Sequence, residues 1–125
     1  SQSYLNSWKN NLQAINDGNT VPESLYSDVL PKGATPISAY RRSVDSQPAL
    51  DFICEVTQNA AGLDVFQVKR FFFIPYKAHL ITLEASYGYS EPEMSKDEIR
   101  ERFFEANKLY TVILMTAVFL DRYEH

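Results

Sequence analysis

The 125-residue chain has little of what catalytic and metal-binding sites are commonly built from. It contains one cysteine, Cys54, and two histidines, His79 and His125. A single cysteine excludes an intrachain disulfide, and two histidines leave little for a histidine-based metal site or catalytic triad. Glycine-rich phosphate loops, Cys-x-x-Cys pairs and the Gly-x-Ser-x-Gly nucleophile motif are also missing. We therefore expect a protein that is not an enzyme, with no catalytic residues, no metal and no cofactor.

Positive charge and long apolar runs are scarce as well. The chain has 12 Lys+Arg against 16 Asp+Glu, a net charge of -4, and its basic residues adjoin only in the pairs Arg41-Arg42 and Lys69-Arg70. Nucleic-acid binding relies on clustered basic side chains that neutralise phosphates, so we predict no nucleic-acid partner. The longest apolar run, residues 112–120 interrupted by Thr116, is far shorter than the roughly 20 residues that cross a bilayer. We predict no membrane span.

What the chain does have is apolar and aromatic content in patterned positions. It is 45% hydrophobic and 14% aromatic, with the length of one domain, which we place over residues 1–125. The spacing of Leu5, Trp8, Leu12 and Ile15 predicts an amphipathic helix over residues 3–16. A second, short helix is expected within residues 20–30.

Alternating apolar and polar residues then predict four mostly antiparallel strands. A capping pattern from Ser95 to Glu98 begins a long helix of up to seven turns, with Phe103, Tyr110 and Ile113 expected to be buried against the sheet. The predicted fold class is α+β: an antiparallel sheet of about four strands packed against a long C-terminal helix, with an N-terminal amphipathic helix. The expected strands are residues 37–44, 50–58, 65–74 and 79–87.

Two local features allow more than one interpretation. Cys54 alternates with apolar neighbours, which favours a small buried side chain over a reactive thiol. Acidic residues before and within the first turn of the long helix favour interaction with the helix dipole. The alternative is a Ca²⁺ site, because calcium prefers carboxylate oxygens. These acidic residues are Glu91, Glu93, Asp97 and Glu98.

The two faces of the predicted sheet lead to the first functional hypothesis. We expect one face, with Phe52, Val68, Phe72 and Ile81, to contact the long helix. The other face would carry both apolar and charged side chains, and it is either covered by the N-terminal helix or left as a partner-binding surface. Burial of at least one of Phe71 and Phe73 is favoured. The candidate partner-binding residues are Ile53, Phe71, Phe73 and Leu80, with Tyr76 and Lys77 in the adjoining turn; Asp51, Glu55, Lys69 and Glu84 share the predicted face.

The segment from about residue 68 to 120 resembles the C-terminal half of Mog1/PsbP-like domains. The similar features are the basic-aromatic strand 69–73, the turn Pro75-Tyr76-Lys77, the strand 80–86 and a terminal helix. This resemblance implies a small non-catalytic sandwich that binds other macromolecules. It also implies a bacterial and often exported protein, since some members are lipoproteins and some toxin-neutralising immunity proteins share the architecture. No functional residue is carried over from the family.

Together these observations favour a non-enzymatic domain whose partner is another protein. An immunity protein or an exported accessory factor would fit, and we expect a periplasmic or secreted location, with the cytoplasm as the alternative. The chain begins with Ser1, so we expect that a signal peptide, a lipoprotein leader or a truncation removed a preceding segment. The competing hypothesis is a small-ligand carrier or enzyme. Its pocket would lie between sheet and helix near Tyr76 and His79, with Glu84 nearby.

Overall fold

The computed structural model describes residues 2–89 and 94–123. Four antiparallel strands form one sheet in the order β1-β2-β3-β4, so each strand pairs with its neighbour along the chain. A helix packs on each face of this sheet, which confirms the predicted α+β fold. The elements are α1 (Gln2–Gln13), β1 (Ala34–Val44), β2 (Gln47–Ala60), β3 (Leu63–Tyr76), β4 (His79–Tyr89) and α2 (Lys96–Met115).

Two-residue turns join the first three strands and fix their register. Asp45 and Ser46, between β1 and β2, have φ of 47° and 64°, and Ala61 and Gly62, between β2 and β3, have φ of 54° and 81°. Positive φ at both central positions matches the right-handed twist of a hairpin. All four predicted strands are present, each longer than predicted at one end or both.

The single short helix predicted within residues 20–30 is not present as one α-helix. Two short 3₁₀ turns, Glu23–Leu25 and Ser27–Val29, lie there instead. The preceding backbone is held by the edge of β1, where Val21 donates its N–H to the Ala39 carbonyl at 3.0 Å. Because residues 19–21 extend along this strand, a continuous helix cannot begin at residue 20.

One face of the sheet packs against α1, which lies over β2 and β3. Trp8 and Leu12 of α1 form a core with Phe52, Phe71 and Phe73. The Phe71 and Phe73 rings stack with centroids 5.2 Å apart. The N-terminal helix therefore covers these two side chains, as the favoured interpretation predicted.

The opposite face packs against α2, which lies over β3 and β4. Phe103 of α2 belongs to one buried cluster with Ile53 and Val68. The prediction that Ile53 faces away from the long helix is therefore wrong. The prediction that Phe52 faces the long helix is also wrong, because Phe52 packs with α1. The strand register explains both errors. Phe52 is paired with Phe71, and directly opposed residues of an antiparallel pair share one face. Asp51 and Glu55, which alternate with Phe52, consequently lie on the α2 face.

The long helix begins as predicted but ends early. The Ser95 hydroxyl accepts a hydrogen bond from the Glu98 N–H at 3.2 Å, and α2 ends at Met115 rather than near residue 120. Phe103 is buried as expected, whereas Ile113 is 58% exposed and Leu114 is buried in its place. The prediction for Ile113 is wrong because the face of α2 toward the sheet includes the polar residues Asn107 and Thr111. A stripe drawn through apolar residues alone does not include them, so it places the buried face incorrectly.

Candidate functional site

Three of the six predicted partner-binding residues belong to the core. Ile53, Phe71 and Phe73 are 7%, 6% and 6% exposed, because a helix covers each face of the sheet. Their interpretation as an exposed surface is therefore corrected: a partner cannot reach them in the folded domain. Leu80 is 38% exposed and lies at the start of the edge strand β4.

Tyr76 and Lys77 are at the surface but are engaged by the chain itself. The Tyr76 hydroxyl donates a hydrogen bond to Asp121 Oδ1 at 2.6 Å, and the Lys77 ammonium group pairs with Asp121 Oδ2. The Phe119 ring packs on Tyr76 with centroids 4.2 Å apart. The Lys77 hydrogen bond, followed by that of Tyr76, lowers the pKa of Asp121 below its ordinary 3.8.

A second carboxylate holds the same C-terminal segment from the β1–β2 turn. Asp45 accepts hydrogen bonds from the Phe119 N–H at 2.9 Å and from the Tyr123 hydroxyl at 2.6 Å, and it pairs with Arg122 at 3.0 Å. The Tyr123 hydrogen bond is the largest of the effects that lower the pKa of Asp45. We call these contacts of Asp45 and Asp121 the carboxylate clamp. The clamp fixes the chain after α2 to two turns of the sheet.

The residues proposed for a ligand pocket do not converge. Tyr76 follows Phe72 and Ile74 on the α2 face, whereas Glu84 is paired with Phe71 and therefore lies on the α1 face. Glu84 forms an ion pair with Lys69 at 3.6 Å. The pocket near Tyr76 and His79 thus lacks the carboxylate that the enzyme hypothesis gave it.

A buried polar cluster lies beneath α2, and its geometry is that of a structural site. Arg70 and Asp51 are 4% and 2% exposed and form a two-pronged pair at 2.9 and 2.7 Å. Arg70 also donates to Asn107 Oδ1 at 2.9 Å and to the Thr111 hydroxyl at 2.6 Å. Its donors are taken up within the protein, so little capacity is left for a substrate.

The remaining reactive and metal-ligating groups offer no site either. Cys54 is fully buried, as predicted, and burial raises the pKa of its thiol to about 11. Across residues 2–89 and 94–123, no group of three or more His, Cys, Asp or Glu side chains could hold a metal ion. The calcium hypothesis falls partly on Glu91 and Glu93, which lie outside the described residues; Asp97 pairs with Arg100 at 2.9 Å.

Two open clefts on the surface lack the features of a small-molecule site. One, of about 320 Å³, lies at the edge of β1 beside Tyr26 and Ile37. The other, of about 530 Å³, lies between Lys32 and the end of β2. Neither brings together the few convergent polar or titratable groups that mark a small-molecule site.

The outward half of α2 carries the most prominent exposed feature. From residue 109 onward, four large apolar side chains of this half point away from the buried residues Phe103 and Leu114, given 100° of rotation per residue. Two further apolar residues follow the helix, and these six are between 40% and 73% exposed. No charged residue lies between positions 109 and 120. We call this the α2 apolar surface: Leu109, Val112, Ile113 and Met115 on the helix, with Val118 and Leu120 after it.

The sequence contains a signal for this surface in addition to the stripe of residues predicted to be buried. Residues 109–115 are apolar at nearly every position, so a helix there is apolar around most of its circumference. Only one face of a helix that lies on a sheet can be buried. Leu109, Val112 and Met115 are not among the residues predicted to be buried against the sheet. Their positions therefore indicate apolar side chains that the sheet does not cover.

Comparison with protein-family models, with curated proteins and with solved structures finds no match. The resemblance to Mog1/PsbP-like domains accordingly stays a prediction. Within the described part of the chain, no helix combines the length and apolar character that crossing a membrane requires.

Proposed function

We propose that this chain is a non-enzymatic protein-binding domain that docks through the α2 apolar surface. The observation that carries the proposal is the exposure of four large apolar side chains at the end of one helix and of two more directly after it. Monomeric soluble proteins rarely expose a contiguous apolar patch above a few hundred Å², and larger patches commonly mark interaction sites. Burial of this surface by a partner would remove it from water.

The charges around the surface favour a protein partner over a lipid bilayer. The exposed part of α2 before residue 109 carries both signs, with Glu101, Arg102, Glu105 and Lys108. Helices that lie in a membrane interface instead have a polar face rich in Lys and Arg. The net charge of -4 further disfavours anionic lipid.

The proposal keeps the expected class of function and changes its physical basis. The partner-binding face predicted from the sequence carried charged as well as apolar side chains, whereas the α2 apolar surface is uncharged. Recognition would rest on shape and apolar contact, with charge confined to the rim, as in the cores of protein interfaces. A periplasmic or secreted location, inferred from the family resemblance, remains part of the proposal.

Site-specific photo-crosslinking in the cells that produce the protein tests this function. A benzoylphenylalanine at Val112 should yield a discrete crosslinked product, because that position would lie within the interface. The matched control is Leu63, another exposed apolar residue, 53% exposed at the β2–β3 hairpin. The absence of any product from Val112, or the same products from both positions, would contradict the proposal.

A further inference from the structure

We infer that the partner on the α2 apolar surface is a second copy of this chain. Two α2 helices would pack antiparallel around a two-fold axis that passes near Val112 and Ile113. This inference rests on the proposed function and names the partner for the same surface.

The extent of the surface fits a two-fold interface. The six side chains of the α2 apolar surface, exposed by 40% to 73%, leave roughly 650 Å² accessible, within the ~600–1,000 Å² that each partner gives to a standard interface. In a two-fold dimer the same patch serves both partners, so no second complementary surface is needed. An apolar patch without charges is complementary to its own copy.

The distribution of charge along α2 is compatible with antiparallel overlap. With the axis at Val112 and Ile113, residues 109–116 of one helix face residues 116–109 of the other. No charged residue lies in that overlap, so the pairing buries no unpaired charge. The charged residues of α2 precede this overlap, at the margin of the contact; they include Glu101, Arg102, Glu105 and Lys108.

Other exposed apolar residues do not form a competing patch. Tyr4 lies on α1, Ile37 on β1 and Leu63 at the start of β3, so they belong to separate elements. Apolar residues that are exposed singly are normal on a soluble domain. Among the described residues, positions 109–120 hold six of the twelve large apolar side chains that are exposed.

Sedimentation equilibrium of the purified chain tests this inference. The wild-type protein should approach twice its 14.4 kDa chain mass at about 100 µM and fall toward the monomer mass at low micromolar concentration. Ile113→Glu should raise the dimer dissociation constant at least about tenfold, because it places two like charges in the apolar contact. Leu63→Glu adds the same charge at an exposed residue outside the surface and should leave the dimer unchanged. Circular dichroism should show that both variants remain folded.

The outcomes separate this inference from the function on which it rests. A wild-type chain that stays monomeric at about 100 µM, or a dimer equally stable in Ile113→Glu, would overturn the second copy as partner. If the chain is monomeric while Val112 crosslinks to a different protein, the proposed function survives alone. If the chain is monomeric and Val112 yields no product, both fail.

Discussion

Arg70 on β3 donates two hydrogen bonds to the Asp51 carboxylate on β2, of 2.9 and 2.7 Å, beneath α2. The same guanidinium group reaches Asn107 and Thr111 on the helix. One buried side chain thus joins two strands to α2. Its polar partners on α2 explain why that helix does not present an unbroken apolar stripe to the sheet.

Removal of one member of this pair should be strongly destabilising. Arg70→Met leaves Asp51 buried with only Arg42, at 3.2 Å, as a charged partner, and we expect a loss of ~3 kcal/mol in the free energy of unfolding. Urea denaturation measures this. The double variant Arg70→Met with Asp51→Leu should recover much of the loss, since no charge of the pair is then left buried. A single-variant loss below ~1 kcal/mol would contradict this role.

Two apolar residues of α2 should respond to truncation in opposite ways. Phe103→Ala removes a fully buried ring and should lower the free energy of unfolding by ~3–5 kcal/mol. Ile113→Ala truncates a side chain that is 58% exposed and should change the monomer by less than ~0.5 kcal/mol. Urea denaturation at submicromolar concentration keeps dimerisation out of the comparison. Equal losses would show that the face of α2 is wrongly assigned.

Cys54 should be inert in the folded protein. It is fully buried, and with a thiol pKa of about 11 only about one molecule in a thousand carries the thiolate at pH 8. A thiol-specific disulfide reagent should therefore label the chain very slowly under native conditions and once per chain in concentrated urea. Complete labelling of the folded protein within minutes would contradict the burial of Cys54.

The carboxylate clamp should make stability depend on pH in a defined direction. Asp45 and Asp121 have folded-state pKa values below 3.8, because the groups that contact them favour the ionised form. Their stabilisation is complete above about pH 5. It is lost as the pH falls through 3.8 toward the lower folded values. The double variant Asp45→Asn with Asp121→Asn should melt a few degrees below the wild type at neutral pH, with little difference in strong acid.

Thermal denaturation across this range measures the effect, with Asp64→Asn in the β2–β3 hairpin as the control. The control removes a carboxylate that takes no part in the clamp. A gap between the double variant and the wild type that stays constant as the pH falls would show that ionisation of these carboxylates does not stabilise the fold.

Local sequence patterns were sufficient to identify the fold class. The alternation of apolar and polar residues located all four strands, and the hydroxyl of Ser95 located the start of α2. Local patterns could not determine the side of the sheet to which Phe52 points, because β2 is apolar on both faces. That choice depends on pairing with Phe71 across the sheet, which is set by the turn at Ala61 and Gly62.

The candidate site was harder to predict for a related reason. A helix pattern identifies apolar residues but not the length of helix that the sheet can cover. Arg70 draws Asn107 and Thr111 toward the sheet, and Leu114 rather than Ile113 faces inward at the next turn. Ile113 and its apolar neighbours are thereby left outside, although by composition they resemble core residues.

Contact between the α2 apolar surface and another copy of the chain is tested most directly by an NMR dilution series. Amide ¹H–¹⁵N spectra recorded from millimolar to low micromolar concentration report each residue that leaves an interface. We predict concentration-dependent shifts confined to residues 109–120, with α1 and the β2–β3 hairpin unchanged. These shifts should be lost in Ile113→Glu. Spectra that do not change with concentration in a monomeric protein, or shifts centred on the sheet edges, would contradict it.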